Sequence, residues 1–444
     1  MPIRRLAVIA AGVAAVTAVF GQTTRPDDTG AVDRARALLK LLVGGQYDEF
    51  VKAGDSTVQA KLAPAQVAQI WGMLRFQHGA YEAEESAKAT SVGQYCSVQF
   101  ALRFQRARQH LRIVLDQQGR LAGFWLDRAE PLGGYPPPDY ADPSRFREEK
   151  VTVSSGEFAL PGTLTIPVGA GPHPAVVLVH GSGPQDEDET VGAHKPFRDL
   201  AWGLGSRGIA VLRYQKRTQA YPQAKQPEEW TLADEVIDDA VAAVRLLRAR
   251  PEIDAKRVYV AGHSQGGLAA PYIAQRDKEL AGLIILAGSA RSVLDLIDEQ
   301  TGYLAKLDGQ VSPEEQQELD KIRRLTAAIR AGRLEEAPTD AGFPIRPLAE
   351  LHRLEPAKEA AKLRVPMLII QGGRDYQVTR ADFELWRKHL VGRPDVRFVL
   401  FEDLNHLFSV GTGAATPAEY EQPGHVDVRV VGAIVEWVGA GAGP

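Results

Sequence analysis

The spacing of apolar residues changes along the chain, and the changes divide it. From Ala31 to Val43, Ala35, Leu38, Leu39 and Leu42 recur three and four apart, which predicts an amphipathic helix. Pro64 to Gln77 repeats the spacing with Val67, Ile70, Trp71 and Leu74, and Pro64 suits a first helical turn. The period then becomes two. Cys96, Val98, Phe100, Leu102 and Phe104 alternate with Tyr95, Ser97, Gln99, Ala101 and Arg103, the pattern of a half-buried strand. Leu111 to Leu115 and Leu121 to Leu126 flank Asp116-Gln117-Gln118-Gly119, a hairpin signal. Helices followed by antiparallel strands over residues 30–128 predict a small α+β domain. Pro131 to Pro138 holds four prolines and two glycines, so residues 129–149 are expected to be a Pro-rich linker.

From residue 150 to 444 short apolar strands alternate with helical stretches, the rhythm of an α/β domain. Val151–Ser154 and Thr163–Ile166 read as an opening antiparallel pair. Ala175–His180, Ala210–Tyr214, Val258–Gly262, Leu283–Ala287, Met367–Gln371 and Arg397–Phe401 read as further strands. Several are apolar on both faces, as a parallel sheet covered by helices requires. Between residues 289 and 362 the rhythm breaks into charged helices. Pro313 to Ala331, with Leu319, Ile322, Leu325 and Ile329 on one face, is the clearest. An insertion at this place reads as a cap.

Composition narrows the classes. The 444 residues are 44% hydrophobic and 24% charged, with a net charge of −4, ordinary for a globular protein. No basic stripe marks a nucleic-acid binder. A single cysteine, Cys96, excludes an intrachain disulfide, and its strand position suits a buried core thiol. Residues 1–21 place Arg4 and Arg5 before the apolar run Leu6 to Phe20, too short for a comfortable membrane span. This is the pattern of a secretory signal peptide, so a periplasmic or secreted protein is expected, with no membrane span once the signal is removed.

Candidate chemistry sits at strand ends. Gly262-His263-Ser264-Gln265-Gly266 falls between the strand Val258–Ala261 and a helix opening at Gly267. A serine on a tight strand-to-helix turn has its Oγ lifted clear of the sheet, and Gly262 and Gly266 supply the room such a turn needs. Serine needs a base, and the base an orienting acid. Asp375 follows the strand Met367–Gln371, and His406 follows the last strand; His425 is the next candidate base and reads as a surface helix residue. His263 is expected to support the turn. The oxyanion would take the backbone N–H of Gln265 and, from the loop His180-Gly181-Ser182-Gly183-Pro184, that of Ser182, with Gly181 as support. The acidic run Asp186 to Glu189 and the basic residues Arg213, Lys216 and Arg217 should leave the same sheet edge, where ion pairs could rigidify the oxyanion loop. No H-E-x-x-H, Walker or dinucleotide glycine pattern is present, so no metal and no cofactor are expected.

Taken together, His180 to Pro184, Gly262 to Gly266, Gly372 to Asp375 and Asn405-His406 resemble the α/β-hydrolase superfamily, near its dienelactone-hydrolase and prolyl-oligopeptidase branches. The first domain resembles a small module of unknown function found ahead of such hydrolases. The resemblance implies a mostly parallel eight-stranded sheet with helices on both faces, and Ser264, Asp375 and His406 as catalytic triad. It departs at Gln215, where the family often carries Asp. The expected function is an exported serine hydrolase cleaving short-chain carboxylic esters, with a small-molecule substrate and no nucleic-acid partner. A prolyl-oligopeptidase-type exopeptidase and a non-catalytic binding protein on a hydrolase scaffold are the rivals. Nothing in the pattern of residues sets the oligomeric state.

Overall fold

A computed structural model describes residues 28–92, 94–132 and 134–441. The expected signal peptide lies outside the described residues. The chain divides into two compact units, with the boundary at Pro136 and Pro137.

Among the described residues the first unit carries the helices α1 (Asp28–Val43), α2 (Tyr47–Lys52), α3 (Ser56–Lys61) and α4 (Pro64–His78), then the strands β1 (Tyr81–Val92), β2 (Tyr95–Phe104), β3 (Ala107–Leu115) and β4 (Leu121–Pro131). The strands form an antiparallel meander in chain order. Ala35, Leu38, Leu39 and Leu42 of α1 are buried against Val98, Phe100, Leu102 and Phe104 of β2, so the three-four and the two-residue periods meet in one core. Strand β1 has no counterpart in the sequence expectation. Its apolar residues are mostly alanine, and it carries Glu82, Glu84, Glu85 and Lys88. As an edge strand it is held by hairpin pairing with β2, which follows it in the chain, and by Arg36–Glu84 at 2.8 Å, a contact between residues far apart in sequence. Cys96, expected in the core, is half-buried at the start of β2.

The second unit is built on eight strands: β5 (Phe146–Ser155), β6 (Phe158–Pro167), β7 (His173–Val179), β8 (Ala210–Tyr214), β9 (Ile253–His263), β10 (Gly282–Leu286), β11 (Met367–Gly372) and β12 (Val396–Phe401). Their spatial order is β5-β6-β8-β7-β9-β10-β11-β12. Strands β5 and β6 form an antiparallel hairpin, β6 pairs antiparallel to β8, and the remaining pairs are parallel. The opening strand starts at Phe146, inside the stretch expected to be linker, and Tyr140 just ahead of it donates to the Val426 carbonyl at 2.7 Å.

Alternate residues of each central strand point into two different cores. Val177, Val179, Val258, Val260, Leu283 and Ile285 face helices α7 (Asp238–Arg248), α8 (Gln265–Arg276) and α13 (Arg380–Leu390). Val176, Leu178, Tyr259, Ala261, Ile284 and Leu286 face α5 (Pro196–Gly205) and α14 (Val428–Gly439). A short helix, α6 (Arg217–Ala220), follows β8. Each fully buried aliphatic side chain contributes about 1.5–3 kcal/mol, which is why both faces must be covered.

Between β10 and β11 the chain builds α9 (Val293–Leu304), α10 (Pro313–Arg330), α11 (Ile345–His352) and α12 (Pro356–Ala361). Ser312 caps α10 by accepting from Glu315 N, while Glu315 reaches back to Ser312 N. Leu294, Ile297, Ile322, Leu325, Ile329 and Leu348 give this insertion its own small core. This is the α/β-hydrolase fold with a helical insertion. The strand order reverses at β7 and β9, whose following connections leave in opposite directions and open a crevice at the carboxyl ends of the strands.

Candidate active site

Ser264 stands in that crevice, between β9 and α8, with φ +53° and ψ −113°. No ordinary L-residue chooses this conformation, so the surroundings must enforce it. A Cβ on Gly262 would collide with the Gly266 carbonyl, and one on Gly266 with the Val179 carbonyl. The turn is therefore closed tightly enough that both positions exclude a side chain. Ser264 N donates to Leu286 O at 2.9 Å, anchoring the turn to the neighbouring strand.

The loops after β11 and β12 bring Asp375 and His406 together. His406 Nδ1 lies 2.7 Å from Asp375 Oδ2, both side chains buried. Asp375 is held on every side: Oδ1 accepts from Gln377 N at 2.8 Å and Val378 N at 3.0 Å, and Oδ2 also accepts from Gln371 Nε2 at 3.1 Å. Such a carboxylate cannot turn away from the ring. Asp403, another carboxylate in the loop after β12, is half-buried and bound by Arg429 at 2.7 Å, which holds its carboxyl below the usual range. His425, expected on a surface helix, sits in the loop before α14 and pairs with buried Asp199 at 3.0 Å. Among the described residues the Ser264 hydroxyl forms no hydrogen bond to the His406 ring, a contact that commonly tightens only with substrate present.

The loop His180–Pro184, expected to hold the oxyanion, abuts the serine. A Cβ on Gly181 would come within 3.3 Å of Ser264 Cβ. Both backbone groups of Gly181 are engaged: its N–H donates to Glu189 Oε1, and its carbonyl accepts from Lys216 Nζ at 2.8 Å. No acceptor among the described residues takes the Ser182 or the Gln265 amide.

Lys216, at the end of β8, is 2% exposed. Besides Gly181 O it donates to Gln265 Oε1 at 2.9 Å and pairs with Glu235 at 2.6 Å. Burial pulls its ammonium below the ordinary lysine value, against the pull of Glu235. His180 is buried beneath the loop, its Nε2 3.0 Å from Asp186 O. Burial pushes this ring down to about 4, so it is neutral near pH 7.

His263 and Glu189 form a further buried contact. His263 Nδ1 lies 2.9 Å from Glu189 Oε2, at an angle that falls short of hydrogen-bond alignment. His263 Nε2 lies 3.0 Å from the His406 carbonyl oxygen. Burial alone would lower the His263 ring, but the Glu189 carboxylate and the His406 carbonyl outweigh it, and the ring titrates above its ordinary value. Glu189 moves the other way: burial is outweighed by His263 and by the Gly181 N–H, and the carboxyl lies below its usual range. The acidic run as a whole is engaged. Glu187 meets Lys150 at 2.8 Å, Asp188 meets Lys195 at 3.0 Å, Arg198 at 2.8 Å and Arg213, and Asp186 accepts from Thr190. The expected network is met in part: Arg213 pairs with the run, whereas Lys216 pairs with Glu235 and Arg217 with Asp239, because the loop conformation sets which side chains meet.

Fold and site define an α/β-hydrolase. Residues 170–410 match the family described as serine aminopeptidase, S33, and residues 35–124 match a family of proteins of unknown function (DUF3887). Esterase EstD of Thermotoga maritima is 39% identical over 414 residues, 92% of this chain and 96% of its own length. The chain belongs to this serine aminopeptidase S33 family of hydrolases. Among solved structures, a Mycobacterium tuberculosis puromycin-hydrolyzing peptidase is 20% identical, with a TM-score of 0.44 over 82% of this chain and 49% of that one. The Pyrococcus furiosus esterase PF2001 is 18% identical, with a TM-score of 0.40 over 66% of this chain and 92% of that one. Among the described residues no group of three or more His, Cys, Asp or Glu could hold a metal ion, and no helix is long and apolar enough to cross a membrane.

Proposed function

We propose that the protein is an exported serine esterase that hydrolyses carboxylic esters of short acyl chains. The observation that carries this reading is the buried Asp375–His406 pair, closed at 2.7 Å, at the same strand ends as the elbow serine. In the first step Ser264 Oγ attacks the acyl carbon and His406 takes its proton. Asp375 holds the imidazolium that forms, and the Ser182 and Gln265 amides bind the oxyanion. The alkoxide leaves with the proton from His406, giving an acyl-enzyme. Water then repeats the sequence, freeing the acid and restoring the serine.

Two observations support esters over peptides. The similarity to an esterase runs over nearly the whole chain. An exopeptidase needs unspent carboxylates for a peptide amine, and the side chains of Asp186 to Glu189 are taken up by protein partners. A short acyl preference follows from the insertion. Helices α9, α10 and α11 spend apolar faces on the insertion's own core and α12 on the core beside the sheet, which leaves little apolar surface to open onto lipid. Acyl chains of about two to six carbons should suit a bounded pocket, because each methylene gains about 0.8 kcal/mol only while there is room for it.

The test is a panel of p-nitrophenyl esters, acetate to palmitate, run beside aminoacyl p-nitroanilides. The expected result is ester turnover peaking at short chains and lost by about four to six orders of magnitude in Ser264→Ala. Wild-type turnover in that variant, or faster anilide than ester cleavage, would overturn the reading. Export is tested by the mass of the protein outside the cytoplasm, which should lack residues 1–21.

A further inference from the structure

We infer that Glu189 and His263 form a buried carboxylate–imidazolium strut that positions the oxyanion loop against the loop carrying His406. The inference rests on the assignment of Ser264 and His406 as nucleophile and base, and it adds two positioning residues to them.

The geometry joins three loops through two side chains. Glu189, in the loop after β7, is 1% exposed and holds φ +49°, an unfavourable conformation for a side-chain-bearing residue. The bend delivers its carboxylate into the interior, where one oxygen accepts from the Gly181 amide and the other faces His263. His263 belongs to the elbow and reaches the carbonyl of His406 with its other nitrogen. The rings of His263 and His406 lie 4.7 Å apart.

Proton placement follows from the partners. A carbonyl oxygen can only accept, so His263 Nε2 carries a proton. A buried carboxylate facing Nδ1 at 2.9 Å is tolerated only if that nitrogen is protonated as well, since two lone pairs would otherwise be pressed together. The ring is therefore an imidazolium, paired with an ionised Glu189. The groups facing the pair are His180, Gly181 N–H and Lys216 from the loops after β7 and β8, Asp375 from the loop after β11, and His406 and Phe408 from the loop after β12. Neutral His180 adds no charge, while Lys216 and Asp375 offset each other in sign. Losing the His263 proton would leave Glu189 unpaired or set a nitrogen lone pair against the His406 carbonyl. Either outcome separates the loops that must act together, so activity should fall as pH rises through the titration of His263.

The test compares Glu189→Gln with Glu189→Ala on p-nitrophenyl butyrate across pH. Glutamine fills the same volume and keeps an acceptor for Gly181 N–H, but leaves His263 neutral. The expected result for Glu189→Gln is a kcat reduced about ten-fold, an unchanged KM and loss of the wild-type alkaline limb. Glu189→Ala should lose about 10²–10³ in kcat, the scale of a misplaced oxyanion donor. If the alanine variant does not fold, the glutamine variant decides alone. A wild-type kcat with the alkaline limb intact in Glu189→Gln overturns the strut. So does a loss of kcat with an unchanged pH profile. Ser264→Ala separates the two ideas: if it is inactive while Glu189→Gln behaves as wild type, only the strut fails, and if it is active the proposed function fails as well.

Discussion

Lys216→Met removes the cross-brace of the oxyanion loop while keeping most of its volume. The ammonium makes three polar contacts inside the protein, to Gly181 O at 2.8 Å, Gln265 Oε1 at 2.9 Å and Glu235 at 2.6 Å. Contacts to a charged group contribute about 1.5–3 kcal/mol each, so the gross loss is roughly 4.5–9 kcal/mol. Part of this is returned, because a buried ammonium carries a desolvation cost of several kcal/mol. Breaking one side of a buried pair leaves a net cost of about 3–5 kcal/mol. Glu235 retains 16% side-chain exposure, so water relieves some of its unpaired charge and the lower end applies, about 3 kcal/mol. For a unit of this size, Pro137–Pro444, that corresponds to a fall of roughly 4–6 °C in the temperature at which activity is lost. The freed Gly181 carbonyl should also lower kcat about 10–100-fold, less than the roughly 10²–10³ of an oxyanion donor removed outright, because the loop is loosened and not lost. Thermal inactivation, denaturant unfolding and ester kinetics measure the three effects. Adding Glu235→Gln should recover at least about 1 kcal/mol, because no unpaired carboxylate then remains. A single variant within 1 kcal/mol of wild type, or a double variant less stable than the single one, refutes the reasoning.

Asp375→Asn should cost about four orders of magnitude in kcat, because an amide that donates to His406 Nδ1 selects the wrong imidazole tautomer, whereas Asp403→Asn should be nearly silent; pH-rate profiles of the two variants check this. His180 titrates near 4 in the folded protein against about 6.5 unfolded. The unfolded chain binds that proton first, so stability present above about pH 6.5 drains away by about 3 kcal/mol as pH falls toward 4, and denaturant unfolding of His180→Gln should show that component missing. His263 works in the opposite direction, its stabilisation being complete below its unfolded value and lost as pH rises through its elevated one. Gly262→Ala should destabilise by about 1–3 kcal/mol or more and abolish labelling of Ser264 by a fluorophosphonate, since the new Cβ and the Gly266 carbonyl cannot share one space; labelling at the wild-type rate would contradict that geometry.

Much of this protein is local in origin and therefore legible along the chain. The apolar strands β7, β10 and β11 announce themselves because burial on both faces demands aliphatic runs. The helix Pro313–Arg330 shows its apolar stripe, and its capping box marks where it begins. Gly262 and Gly266 flank Ser264 because the turn tolerates nothing larger, and a steric requirement of that kind leaves a motif. Strand β1 leaves none, since an edge strand of Ala, Glu and Lys has no periodic apolar face and exists only by pairing with β2.

What tertiary structure alone decided is the pairing at the strand ends. Asp375 rather than Asp403 faces the His406 ring because the loop after β11 reaches it, while Arg429 pairs with the other acid. Gly181 has both backbone groups engaged, its N–H by Glu189 and its carbonyl by Lys216, so its amide is not offered to a ligand in the way the proposed function asks of Ser182. Glu189 is one of four consecutive acidic residues, and only a left-handed backbone at that position turns its carboxylate inward to His263. Periodicity and motif record the demands a residue's own neighbours in sequence place on it. The charge partners of Glu189, Lys216 and Asp375 come from strands distant in the chain, and the order of strands in the sheet is what brings them within reach.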